Sequence, residues 1–213
     1  MKKIFFVLGL LLIFMSAQIF AANRVITLDI KDFSGIKVAG DWNVVVKQGE
    51  KYAVKLTVSD ETVDRLDVNK QGNVLVLHLK PRVNLFSSFT TLTAEITLPK
   101  LEFIDSKGSS DITFSGFNSK NFEIHSAGSS NIKGADNTIT NLTVNLLGSS
   151  DIDLKKSNIT NADVNMKGSG NLALNMADGK LTGNIFGSGN IVVLGEMKEQ
   201  SVKIKGSGNV EYR

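Results

Sequence analysis

From Gly108 to its end the chain restarts itself every 19 or 20 residues. The phrase GSSDI at Gly108 returns as GSSNI at Gly128, GSSDI at Gly148, GSGNL at Gly168, GSGNI at Gly187 and GSGNV at Gly206. A period this short admits few folds. Such a unit can neither close a propeller blade nor pair two helices around a core of its own, so it must bury its apolar face against the next copy. Within each unit the alternation has period two, as in NFEIHS, NLTVNL and NADVNM, which is the pattern of a strand with one buried face. Strand, sharp turn and strand, restarting at fixed spacing, predict one rung of a parallel β-helix. Successive rungs then pair at about 4.8 Å, and the chirality of parallel crossovers predicts a right-handed coil. The expected fold is all-β: a single-stranded right-handed parallel β-helix with rungs of 19–20 residues. The shorter rungs should lose their residue in the variable stretch before the last strand, where a loop absorbs it.

The repeated phrase reads as a corner. Its first glycine supplies backbone conformations that a side chain forbids, and the second glycine of GSGN is expected to do so again. The fourth corner position runs Asp111, Asn131, Asp151, Asn171, Asn190, Asn209. Stacked amides can hydrogen-bond from rung to rung, and Asp never follows Asp in the column, which avoids stacking like charges. We therefore expect a structural ladder there. Asn121, Asn141 and Asn161 are expected to form a second one at another corner.

The first hundred residues follow the same logic less regularly. GIKVAGDWNVVV places Ile36, Val38, Gly40, Asn43, Val44 and Val46 where the later corners place theirs, and YAVKLTVS, NVLVLHLK and TLTAEITL alternate as strands. DETVDRL reads as one helical turn capped by Asp60. With the regular repeats over about 101–213 and no Pro/Gly/Ser-rich linker, residues 23–213 read as one domain. Residues 1–22, with Lys2 and Lys3 before an apolar run from Ile4 to Met15, read as a secretory signal peptide. The expected location is therefore outside the cytoplasm: periplasm, outer envelope or secreted. Removing the two signal lysines lowers the formal charge from +3 to +1, and no Lys/Arg run lines one segment. That argues against nucleic acid as a partner. The absence of cysteine excludes a disulfide framework and any Cys-ligated metal.

FSGIKVAGDWNVVVKQGEKYAVKLTVSDE, then DVNKQGNVLVLHLK and the GSGNI repeats, resemble the auto-transporter adhesin head domain called GIN. The resemblance spans about residues 24 to 213. It implies an exported right-handed β-helix of a bacterial family without an established activity, and its name implies adhesion. Only SGNVEYR follows Gly206, so no C-terminal membrane barrel is expected in this chain.

The outward columns beside the corner hold the candidate binding residues. One reads His125, Asn145, Asn165, Asn184, Lys203, and its neighbour Glu123, Thr143, Asp163, Thr182, Ser201. We expect Glu123, His125, Thr143, Asn145, Asp163, Asn165, Asn184 and Lys203 to form a polar face suited to a glycan or a protein. A solvated solenoid side is polar in any case, and the sequence names no ligand. Neither a catalytic centre, a metal site nor a cofactor is expected. Calcium wants several converging oxygens, and the corner column offers one Asp or Asn per rung. The enzymatic alternative, a polysaccharide lyase or hydrolase, requires converging carboxylates. Glu123 and Asp163, about 10 Å apart across two rungs, are the nearest approach to that. A structural, self-assembling envelope subunit is a further alternative. His78 and His125 lie on separate segments, which gives no basis for a histidine triad or zinc site. Phe86 and Phe89 sit in an irregular loop, read as a cap over the coil or an aromatic tip for a partner. The last rung needs its edge covered, so a homo-oligomer through the C-terminal rung is expected, with Glu211 and Arg213 discouraging open-ended pairing.

Overall fold

The computed structural model describes residues 23–81 and 92–213. The signal-peptide reading and the Phe86/Phe89 loop lie outside the described residues. Fifteen strands run through the rest: β1 (Asn23–Leu28), β2 (Gly35–Gly40), β3 (Asn43–Gln48), β4 (Ala53–Ser59), β5 (Leu66–Gln71), β6 (Val74–Leu79), β7 (Leu92–Leu98), β8 (Phe103–Gly108), β9 (Asp111–Ser115), β10 (Asn118–Gly128), β11 (Asn131–Gly148), β12 (Asp151–Gly168), β13 (Leu172–Gly187), β14 (Asn190–Gly206) and β15 (Asn209–Tyr212). They belong to one continuous sheet wound into a parallel solenoid of about 6 turns.

Each rung changes side at its corner glycine. Gly40, Gly108, Gly128, Gly148, Gly168, Gly187 and Gly206 stand in register above one another. The register read from GIKVAGDWNVVV holds, since β2 pairs in parallel with β8 and β3 with β9. Residues 35–48 thus continue in space directly into 103–115. The single-residue deletion falls before the last stretch of the rung as expected, but as a register irregularity inside the continuous β12–β13 ladder and not in a loop. Leu154 pairs with Leu174 at an offset of twenty, Ala162 with Leu181 at nineteen, and the register shifts lie between them.

The excursion between Gln48 and Phe103 builds the base of the coil. β6 and β7 lie under β2 and β3 in parallel. Below them the direction reverses: β5 pairs antiparallel with β6, β4 with β7, and β1 with β4. The two-residue turn at Gly72–Asn73 (Gly72 φ +62) enforces the reversal of β5 against β6, because so short a connection can join only antiparallel strands. Between β4 and β5 the chain makes a 3-10 turn over Asp60–Arg65. Asp60 begins that turn and does not cap it. The cap position is Ser59, which makes no side-chain cap bond; the Thr62 hydroxyl instead donates to the Ser59 carbonyl at 2.6 Å.

The core is one cluster running the length of the coil. Ile112, Ile132, Ile152, Leu172 and Ile191 form a fully buried column, aligned by the parallel register. Next to it Phe114 stacks on Phe122 at 5.1 Å and leans over Gly134, where a Cβ would come within 2.6 Å of its ring.

The corner glycine works as expected and its successor does not. Gly148 has φ +115, and a Cβ there would lie 2.5 Å from the Gly128 carbonyl oxygen. The second glycine of GSG, by contrast, has no positive φ at Gly170, Gly189 or Gly208. Its reason is space. A Cβ on Gly170 would strike the Ser150 carbonyl oxygen at 2.1 Å and Leu146 at 2.8 Å; Gly189 faces Met166, and Gly208 faces Ile185. At the GSS corners of Gly128 and Gly148 the equivalent neighbours are serines, whereas Ser110 at the first such corner bonds the Gly40 carbonyl. Ser106 and Ser130 share a hydrogen bond of 2.7 Å, and the Ser126 hydroxyl donates to Ser150 Oγ at 2.8 Å. Serine sits over serine, and glycine over a large apolar residue. Both arrangements fill the corner, one with a satisfied buried hydroxyl pair and the other with hydrocarbon.

Candidate functional site

The corner column bonds between rungs. Asn131 Nδ2 donates to Asp111 Oδ1 at 2.8 Å, and Asn171 donates to Asp151 Oδ1 through Nδ2 at 2.9 Å and its backbone N–H at 3.0 Å. Asn190 Nδ2 then donates to Asn171 Oδ1 at 3.2 Å, and the Asn209 N–H to Asn190 Oδ1 at 3.1 Å. At the second corner Asn141 donates to Asn121 at 3.0 Å and Asn161 to Asn141 at 3.1 Å. These side chains are occupied with their own column. Sequence reasoning missed a buried equivalent: Asn137 accepts the Phe117 N–H at 3.0 Å and donates to Ser157 Oγ at 2.9 Å.

The candidate face lies on the other strand of each rung, just before the corner. Parallel register stacks His125, Asn145, Asn165, Asn184 and Lys203 in one outward column. Glu123, Thr143, Asp163, Thr182 and Ser201 stand two residues earlier in the next. Downward the first column continues through Asp105 to Lys37, whose Nζ lies 3.8 Å from Asp105 Oδ2. His125 packs edge-on against Phe103 with ring centroids 5.2 Å apart, and its Nε2 lies 3.6 Å from Glu123 Oε2. Higher up, Asn184 Nδ2 donates to Asn165 Oδ1 at 3.0 Å and the Thr182 hydroxyl to Asp163 Oδ1 at 3.1 Å.

The eight candidate residues do not form one site. His125, Asn145 and Asn165 line an open groove of 660 Å³ together with Asp105, Lys107, Ala127, Leu147, Lys167 and Phe186. Thr143 and Asp163 line a separate, smaller depression of 220 Å³ with Asn141, Asn161, Lys180 and Thr182. Glu123, Asn184 and Lys203 border neither. The groove's other wall, from Lys107 to Phe186, is a third outward column, the residues immediately before each corner glycine. Leu147 is 58% and Phe186 40% exposed there, and Lys205 Nζ stands 5.7 Å from the Phe186 ring centroid. The signal was present in the sequence: SAG, LLG, MKG and IFG put alternately small, apolar and basic residues at an outward position.

The groove's chemistry is mixed polar and apolar. Side-chain amides offer donors and acceptors beside an exposed aliphatic and an aromatic surface, with lysines on the rim. Asp105 is its one acidic residue. Glu123 and Asp163 engage His125 and Thr182 and face different partners. Among the described residues, no group of three or more His, Cys, Asp or Glu is placed to hold a metal ion.

Comparison with known proteins places the fold. A family model described as "Putative auto-transporter adhesin, head GIN domain" matches residues 32–212. No curated protein matches the chain. Among solved structures, a "putative adhesin" from Bacteroides fragilis NCTC 9343 superposes with TM-score 0.73 at 19% identity, covering 90% of this chain and 97% of that one. A "putative adhesin" from Parabacteroides merdae ATCC 43184 gives 0.56 at 20% identity, covering 90% and 96%. A "Putative lipid binding protein" from Parabacteroides distasonis ATCC 8503 gives 0.58 at 19% identity, over the same shares. At these identities the likeness is one of fold.

Proposed function

Because this chain belongs to the auto-transporter adhesin head GIN domain family, we propose that it is a non-enzymatic, adhesin-like binding module of the cell envelope. The groove beside the corner is its binding surface, and a glycan is its ligand. One observation carries the reading: Asn145 and Asn165 stand in register beside the exposed Leu147 and Phe186 in the same groove. Sugar rings present hydroxyls at their edges and C–H groups on their faces. A row of fixed amides beside an apolar and aromatic strip complements both. The rigid parallel sheet holds these groups without cost in loop ordering. The single acidic residue in the groove, Asp105, has no carboxylate partner there, which supports binding over hydrolysis.

A glycan-array screen tests this, with and without calcium. The expected result is selective binding that Asn145→Arg with Asn165→Arg abolishes and Phe186→Ala weakens, while the circular dichroism spectrum is unchanged. Silence on every glycan would sink the glycan reading and leave a protein partner for the groove. Binding that survives both substitutions would move the site elsewhere.

A second reading, self-association through the last rung, rests on the exposure of Ile204 (41%) and Tyr212 (48%). Among the described residues no strand covers Ser201–Gly206 on its outer edge. Glu211 and Arg213 pair with each other at 2.8 Å on the short terminal strand, which lowers the Glu211 carboxyl below its usual range through the Arg213 hydrogen bond. Light scattering across a concentration series decides it: a monomer at every concentration rules this reading out.

A further inference from the structure

Across the glycine corner from the candidate groove, a second concavity of 530 Å³ opens on the outer surface of β3, β9, β11 and β12. Its floor is set by register. Lys47 pairs with Ser115, Ser115 with Ala135, and Ala135 with Lys156, so two small residues separate a lysine below from a lysine above. The two lysines are three rungs apart, roughly 14 Å at strand spacing. Lys133 stands two residues before Ala135 on the third of these four rungs, next to Asp153 in its own column, and closes one flank, and Lys155 adds a fourth ammonium. The one acidic lining residue, Asp153, is held by Lys155 at 3.2 Å. No ion pair among the described residues involves Lys47, Lys133 or Lys156, and all three are exposed. Val45 and Ala135 add hydrocarbon to the floor.

We propose that this cradle binds an organic phosphate, with the phosphate among the lysines and its carrier lying on the Val45/Ala135 floor. Flexible ammoniums reaching in from below, above and one side suit a compact multiply charged anion, and charge-assisted bonds to phosphate are the strong ones. The volume is that of a small-molecule cleft. The floor favours an ester over the bare ion, because only an ester has an apolar part to lay there. A phosphomonoester gains its second charge near pH 6, so binding strengthens as pH rises from 5 to 7.

The test uses three probes: glycerol 3-phosphate, inorganic phosphate, and phosphatidylcholine vesicles with and without phosphatidic acid. Calorimetry reads the soluble arms and cosedimentation the vesicles. The expected result is saturable binding of the ester, or of phosphatidic-acid vesicles alone, weakened at least about tenfold by Lys133→Gln with Lys156→Gln. Ser115→Glu, which puts a carboxylate on the floor, should abolish it. The lysines are exposed, so their replacement leaves the fold intact, and circular dichroism checks that. Ester binding without vesicle binding assigns a soluble ligand, and the reverse assigns a lipid headgroup. Asn145→Arg with Asn165→Arg must leave either response unchanged, which separates this site from the groove. No saturable binding in either arm, binding indifferent to the lysine pair, or inorganic phosphate held as tightly as the ester would each overturn the assignment.

Discussion

The two ends of the coil solve the same problem differently. At the N-terminal end the chain turns back on itself: β4, β5 and β1 run antiparallel to the strands they meet, and Phe33 and Trp42 are buried there to 1% exposure. At the C-terminal end, among the described residues, the parallel rungs continue with no reversal and nothing pairs beyond β15, and core columns that are sealed lower down open to solvent. Ile185 is fully buried, and Ile204, one rung above it in the same column, is 41% exposed. A solenoid is held by nearest-neighbour contacts, so a rung with one neighbour has about half the support. The comparison teaches that stability here is positional: the same substitution should have a different cost according to the rung that carries it.

The largest effect expected is at the corner glycines. Gly148→Ala forces a side chain onto a φ of +115 and onto the Gly128 carbonyl, which should cost about 4 kcal/mol. Gly206→Ala meets the same obstacle, with φ +134 and the Gly187 carbonyl oxygen at 2.1 Å. Its rung has only β15 beyond it and can move aside, so about 1–2 kcal/mol is expected. Urea unfolding of both variants checks this. Equal costs would mean that the final rung is as firmly held as the middle.

The isoleucine column comes next. Ile185→Ala should cost about 3 kcal/mol as a buried truncation, and Ile204→Ala about 1 or less. If copies of the chain cover the last rung, Ile204→Ala instead becomes costly and its cost rises with protein concentration. That one measurement sharpens the comparison and tests self-association together.

A smaller effect probes the middle of the coil. Converting a GSS corner to the GSG kind by Ser126→Leu with Ser150→Gly replaces a hydroxyl pair by leucine over glycine, as Leu146 over Gly170 does one rung later. Ser126→Leu alone overpacks the corner. Ser150→Gly alone removes the partner of Ser126 and of the Ser130 N–H. The double variant should be more stable than the sum of the singles predicts, by about 1–2 kcal/mol in a double-mutant cycle. Strict additivity would show that the correlation between the two positions has no packing origin.

That serine–glycine exchange also marks where the sequence stopped being legible. Period, corner and columns could be read because they depend on residues exactly one rung apart. The contact between Ser126 and Ser150 joins residues 24 apart, across a corner rather than along a column, and no periodicity displays it. The reversal at the base was not read: YAVKLTVS, NVLVLHLK and TLTAEITL were legible as strands, but nothing local says that β4 and β5 close the coil. The candidate face was read from two polar columns, whereas the groove uses one of them and the apolar and basic column beside it. Polarity alone does not locate a groove. Neighbouring side chains of unequal size create one, and that depends on how adjacent rungs pack.

The smallest effect concerns the one buried polar side-chain atom, among the described residues, without a hydrogen-bond partner, Trp42 Nε1. In the regular coil buried polar groups are matched: Asn137 serves Phe117 and Ser157, and its replacement by leucine should cost about 2 kcal/mol by stranding both. Trp42 sits at the corner of the first rung, and among the described residues no acceptor reaches its indole nitrogen. Trp42→Phe removes an unsatisfied N–H along with part of the ring. The two effects oppose, so stability should change by less than about 1 kcal/mol in either direction. Thermal melts of the two variants side by side make the contrast. A large loss at Trp42→Phe would mean that the indole nitrogen has a partner in solution. The base would then be as fully matched as the coil it closes.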